Sequence, residues 1–275
     1  MTSFQLGFIG GGNMATALIS GLAREAATRP QATWVVEPNP ERRAELGRLP
    51  GLTALAAPGP AQAVADLIVL AVKPQQARAA CAELAAAIPL AGKPVLSILA
   101  GIRIADLARW LPGARLIRAM PNTPALIGAG ITGLVASAEV LPAERALATR
   151  VVEACGEAIW FDDETALDAV TAISGSGPAY VFYFIEALER SAIALGIAPA
   201  AARRLALATF AGASRLAAES GESPGQLRER VTSKGGTTAA ALAVLGERGA
   251  ADHLVDAVEA ARRRATELGD EFGKV

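Results

Sequence analysis

The chain has 275 residues, 52% of them hydrophobic, and its 26 lysines and arginines nearly balance 27 aspartates and glutamates for a formal net charge of −1. With that much apolar side chain to bury the chain is not disordered, and without a basic stripe interleaved with aromatics it is not a nucleic-acid binder. The length exceeds one small core and suits two domains.

The first ~160 residues alternate short β-rich apolar runs with alanine-rich helical stretches, the pattern of a parallel sheet covered by helices. Strands are expected at Gln5–Ile9, Thr33–Val36, Leu67–Val72, Pro94–Ile98, Arg115–Ala119 and Ile131–Ala136, stacked as a doubly wound sheet. Helices start after plausible signals: Asn13 ahead of Met14–Leu22, and Pro40 ahead of Glu41–Leu46. Beyond Phe161 the strand-like runs stop and long Ala/Leu segments broken by Gly and Pro take over. This divides the chain into an α/β domain over 1–161 and an all-helical domain over 162–275. The first long helix of the second part, about Pro178–Leu195, is apolar on nearly every face from Ala179 to Ile185. Such a helix must be buried on all sides, so a subunit interface is expected there.

The longest uncharged stretch, between Asp168 and Glu186, contains Ser174-Gly175-Ser176-Gly177-Pro178 and falls short of the ~20 apolar residues of a membrane span. No Lys or Arg precedes Arg24, so a secretory signal is not expected and the reading is cytoplasmic. Cys81, Cys155 and the single His253 cannot supply a zinc site, and no metal is expected. Nor is Ser-His-Asp hydrolysis, since Ile173 and Ser174 stand where a nucleophile elbow around Ser176 needs its first glycine and spacer.

Gly10-Gly11-Gly12-Asn13-Met14-Ala15 follows one strand and opens a helix, which fits G-x-G-x-x-G/A in the context of dinucleotide binding. Gly10 suits the tight turn, Gly12 the approach of a pyrophosphate, Ala15 close helix packing, and the helix start would hold the phosphates. A glycine turn without a ligand is the plain alternative. About twenty residues on, Glu37 suits the ribose of NADH, whereas Asn39, Arg42 and Arg43 suit a 2′-phosphate; a solvated helix start explains the same residues. The balance leans to NADPH, with NADH as the alternative. Lys73 and the stiff segment Arg118–Pro124 each leave a strand at its carboxyl end, where open α/β sheets bind ligands. A loop lysine in water and a domain linker are the plain alternatives. In the helical half, Val231–Thr238 gathers hydroxyls and glycines ahead of the helix Ala239–Gly246. Free N–H groups there could hold a carboxylate, with Ser233 as a further donor, although taken alone a Ser or Thr N-cap, which is very common, is the better account.

Together these segments resemble the pyrroline-5-carboxylate reductase family over nearly the whole chain: Gly7 to Ala15, Ala71-Val72-Lys73-Pro74, Arg118 with Met120–Ala125, Asp168–Thr171 with Ser174–Tyr180, and Ser233–Thr238. The resemblance implies hydride transfer from NAD(P)H to the imine carbon of 1-pyrroline-5-carboxylate, giving L-proline. It assigns the carboxylate to Ser233, Gly235, Gly236 and Thr237, and donation at the imine nitrogen to Thr238. It carries the cofactor positions Gly10, Gly12, Asn13, Met14, Asn39, Val72, Lys73, Ala100, Asn122 and Glu164, and implies an intertwined homodimer, sometimes assembled into a decamer. Lys234 in place of a common proline, Leu99-Ala100-Gly101-Ile102 in place of Ala-Ala-Gly-Val, and Glu37 depart from the pattern. Two other readings compete. A β-hydroxyacid dehydrogenase would carry a catalytic lysine on the first long helix, yet no Lys occurs between Ala169 and Leu188. A non-catalytic nucleotide sensor would not need Ser233–Thr238.

Overall fold

The computed structural model describes residues 4–24 and 29–273. They contain eight strands, β1 (Gln5–Ile9), β2 (Ala32–Val36), β3 (Leu52–Leu55), β4 (Leu67–Leu70), β5 (Pro94–Ser97), β6 (Arg115–Met120), β7 (Gly130–Ala136) and β8 (Gly156–Trp160). Helices α1 (Asn13–Arg24), α2 (Pro40–Leu46), α3 (Ala77–Ala87), α4 (Ile104–Trp110) and α5 (Pro142–Glu153) connect them. After β8 come α6 (Ala166–Val170), a π turn over Thr171–Gly175, and then α7 (Gly177–Ala194), α8 (Pro199–Glu219), α9 (Pro224–Arg230), α10 (Thr237–Glu247) and α11 (Ala250–Phe272).

The strands form one sheet in the order β3-β2-β1-β4-β5-β6-β7-β8. The chain winds outward from β1 in both directions, so a crevice opens where the order reverses, between β1 and β4. All six expected strands are present, and the pairing is parallel apart from β6 with β7, where Met120 faces Gly133 and Ile117 faces Ala136. A short 3₁₀ turn, Thr123–Ile127, joins those two strands, too short for the crossover that a parallel pair requires. Two strands go beyond those expected, β3 and β8. β4 and β5 are buried on both faces, as expected of central strands with helices on either side. Alternate β4 residues feed two cores. Leu67 and Val69 pack with Phe8, Leu18, Leu96 and Val151, while Ile68 and Leu70 pack with Trp34, Cys81, Leu84 and Leu107.

The chain divides into two compact units, one holding residues up to Ser176 together with those from Ala261 onward, the other Gly177–Ala260. This differs from the expected break at 161, because α6, the π turn and the end of α11 pack with the sheet rather than with the other helices. Within the first unit, Leu167 and Ala172 are fully buried, Thr266 donates to Asp168 at 2.8 Å and Arg103 pairs with Asp270 at 2.9 Å. The second unit is all-helical and buries only Ala202 and Ala206 among its described residues. On α7, Phe182 and Tyr183 stay 60% and 63% exposed. No helix among the described residues is long and apolar enough to cross a membrane.

Candidate active site

Within the first unit, the loops that leave β1, β4, β5 and β6 line the crevice. Gly10 donates to the Val36 carbonyl at 2.9 Å, and Ala71 donates to that of Ile9 at 2.8 Å. Gly10 has φ +98°, and a Cβ there would lie 2.6 Å from the Ala71 carbonyl oxygen, so conformation and space both demand glycine. Gly12 is different. It is exposed, and the nearest atom to an added Cβ is 3.9 Å away, so the protein itself does not require a glycine there. Asn13 opens α1, and its first turn presents N–H groups that have no acceptor inside the helix. An open glycine ahead of free N–H donors fits a dinucleotide pyrophosphate. Exposed Lys73 and half-buried Val72 follow β4, and exposed Ala100 follows β5.

The segment after β2 is tied down. Glu37 accepts from the N–H of Gly11 at 3.1 Å and from that of Asn39 at 2.9 Å. Asn39 caps α2, its side-chain oxygen accepting the Arg42 N–H at 2.9 Å. The Arg42 guanidinium donates to the Gly11 carbonyl, the Thr16 hydroxyl and Glu45, and that of Arg43 to the carbonyls of Glu37 and Pro38.

Two of the residues assigned to the cofactor by resemblance are engaged in holding the fold. Asn122 is buried, and its side-chain oxygen accepts the Ile131 N–H at 3.0 Å, which pins the entry to β7. Glu164 Oε1 accepts from the Ile104 N–H at 2.8 Å and from Arg118 at 2.9 Å. Arg118 is 3% exposed, and its other terminal nitrogen lies 3.9 Å from Asp168. This buried ion cluster was not anticipated from the sequence, although two arginines in the apolar strand Arg-Leu-Ile-Arg-Ala-Met already called for a buried counter-charge.

In the second unit, residues 233–238 form a tight turn into α10. Gly236 donates to the Ser233 carbonyl at 3.0 Å, and Gly235 takes φ +72°, which favours glycine. The N-cap is Gly236, with no side-chain cap, so the Ser or Thr capping alternative does not hold. Thr237 and Thr238 are the first two helical residues, and their N–H groups have no acceptor inside the helix, whereas that of Gly236 is already engaged by Ser233. A Cβ at Gly236 would lie 2.5 Å from the Ser233 hydroxyl oxygen, so that hydroxyl lies beside the helix start. Lys234 beside it is exposed.

Residues 5–101 match a family model described as NADP oxidoreductase, coenzyme F420-dependent, and residues 164–268 match one described as pyrroline-5-carboxylate reductase dimerisation. The chain is 40% identical to a Pseudomonas aeruginosa pyrroline-5-carboxylate reductase over 278 residues, covering all of both, and 41% identical to a Synechocystis relative of the same name, covering 97% of this chain and 99% of the other. The chain belongs to the pyrroline-5-carboxylate reductase family. Among solved structures, a reductase of this family from Coxiella burnetii superposes with TM-score 0.91 at 36% identity, covering 97% of this chain and 99% of the other. A Plasmodium falciparum pyrroline carboxylate reductase with NADP bound superposes with TM-score 0.84 at 28% identity, covering 98% and 99%. The dimerisation match covers the helices whose apolar faces are left bare, and the protein is a homo-oligomer.

Proposed function

We propose that the chain reduces 1-pyrroline-5-carboxylate to L-proline, the last step of proline biosynthesis, with NADPH as donor and NADH as the alternative. The observation that carries this is the start of α10, capped by a glycine, with a serine hydroxyl beside the open N–H groups of its first turn. In this reading Ser233 and the backbone of Gly235, Gly236 and Thr237 bind the substrate carboxylate. That fixes which face of the ring is presented, converting a random encounter into an oriented one. Thr238 donates a hydrogen bond to the imine nitrogen, which makes the neighbouring carbon more electrophilic. A neutral threonine is a weak acid, so Thr238 positions or relays a proton more than it supplies one. The nicotinamide, when bound, supplies the hydride. Gly10, Gly12, Asn13 and Met14 hold the pyrophosphate; Asn39, Val72, Lys73 and Ala100 line the remaining length; Asn122 and Glu164 shape the crevice from behind.

In this reading 1–161 binds nucleotide and 162–275 supplies substrate contacts and dimerisation, with residues 162–176 and the end of α11 packed on the nucleotide side. A homodimer, with a decamer as the larger assembly, and a cytoplasmic location complete the reading. The test is the loss of nicotinamide absorbance when purified protein meets 1-pyrroline-5-carboxylate. Thr238→Ala should lower kcat/KM at least about a hundredfold, the scale of general acid–base assistance, while dinucleotide Kd is unchanged. Normal kinetics in that variant would overturn the assignment.

A further inference from the structure

The groups at the end of β2 that could recognise the adenosine ribose differ in how much binding capacity the fold leaves them. Asn39 spends its side-chain oxygen on the α2 cap. Arg42 is drawn toward the glycine loop by the Gly11 carbonyl at 3.0 Å and the Thr16 hydroxyl at 2.7 Å, with Glu45 taking a third N–H at 2.8 Å. Arg43 has one terminal nitrogen on two carbonyls, both at 2.9 Å, and keeps the N–H groups of its other two nitrogens. Glu37 is the charged acceptor among them. Each of its carboxylate oxygens accepts one backbone N–H, and each has about one further lone-pair site to offer. One of those N–H groups belongs to Gly11, in the pyrophosphate loop itself. The carboxylate is therefore fixed beside that loop, at the end of the second strand, where an acidic residue meets ribose hydroxyls in dinucleotide folds.

Building on the nucleotide-binding reading above, we propose that Glu37 sets the cofactor choice of this chain. Its carboxylate accepts the ribose hydroxyls of NADH and opposes the 2′-phosphate of NADPH, so that the two are bound with comparable affinity. The 2′-phosphate brings nearly two negative charges against a fixed carboxylate. Arg42, with all three guanidinium nitrogens already on acceptors, also has less to offer that phosphate. NADH meets neither obstacle.

The experiment is a fluorescence titration of the purified oligomer with NADH and with NADPH, reading the nicotinamide emission and needing no turnover. For the unaltered protein the two Kd values should agree within about threefold. Glu37→Ser, and Glu37→Gln as the variant that keeps an acceptor for the loop N–H groups, should shift the Kd ratio at least tenfold toward NADPH. The kcat/KM ratio with 1-pyrroline-5-carboxylate should move in parallel. A ratio moved less than twofold, or both affinities weakened equally, would make Glu37 a loop strut and overturn the proposal. An unaltered protein binding NADPH a hundredfold tighter would do the same. If neither dinucleotide binds, the nucleotide reading falls and this proposal with it; binding without turnover of the imine would sink only the substrate assignment.

Discussion

Glu164 stands where two chemistries compete for it, and removing its carboxylate separates them. Arg118 lies 2.9 Å from Glu164 and 3.9 Å from Asp168. At an effective dielectric near 20, those separations correspond to attractions of about 6 and about 4 kcal/mol before desolvation is charged against them. Glu164→Ala therefore leaves Arg118 with only about two-fifths of its Coulomb attraction, through Asp168, takes its hydrogen-bonded partner and leaves the Ile104 N–H unpaired. Breaking a buried pair from one side costs ~3–5 kcal/mol; with Asp168 still in place and the Glu164 side chain 26% exposed, the loss should be about 3 kcal/mol. For a unit of this size that lowers Tm by roughly 6–12 °C. Glu164→Gln keeps an acceptor for both N–H groups and should cost about 1 kcal/mol. Both are measured by thermal unfolding of the first unit, followed by circular dichroism at one fixed protein concentration because the protein is an oligomer. A loss below 1 kcal/mol for the alanine variant, or equal losses for the two variants, would refute the reasoning.

Gly12→Ala should leave Tm within about 1 °C, since its Cβ meets no protein atom nearer than 3.9 Å, yet weaken dinucleotide binding at least tenfold; Gly10→Ala, which would collide with the Ala71 carbonyl, should weaken both, and thermal shift with nucleotide titration distinguishes the pair. Burial pushes the Cys81 thiol up to about 12 from 9.0. The unfolded chain thus loses this proton first, and stability should be full below pH 9 and fall by up to ~1.4 kcal/mol per pH unit between pH 9 and 12. Denaturant titrations across that range should show the slope, and Cys81→Ala should show less of it. Light scattering at micromolar concentration should find an oligomer, and a monomer would contradict the reading of the bare α7 face.

Much of this architecture was legible because local and global signals agree. Gln5–Ile9 and the helix at Pro40 follow from apolar patterning and a proline at a helix start. β3, Leu-Thr-Ala-Leu, is too short to stand out, and β8 is a half-exposed edge with Gly156-Glu157 at its start. The reversed direction of β7 lies in connection length rather than in strand composition. At the site, the glycine turn after β1 and the turn at 233–238 were readable as helix starts because glycines and small hydroxyl residues cluster there. The conflict among Glu37, Asn39, Arg42 and Arg43 was not resolvable from residue types, since it depends on which groups the fold has already engaged. The structural engagement of Asn122 and Glu164 likewise depends on contacts between distant strands and helices.

Residues 177–260 interrupt the first unit, and the chain returns to it only through the last part of α11. Arg109 reaches the Gly273 carbonyl across 164 positions, and Arg103 that of Thr266 across 163. During synthesis the sheet is thus complete on the order of ten seconds before its final cover has been made, at ~5–20 residues per second. Through that interval buried Asp106, Asp168 and the loop at Gly101 wait without the helix end that later packs on them. The nucleotide half of the protein is therefore a late finisher: its sheet forms early from near neighbours, and its closure belongs to the slow, long-range class of folding events.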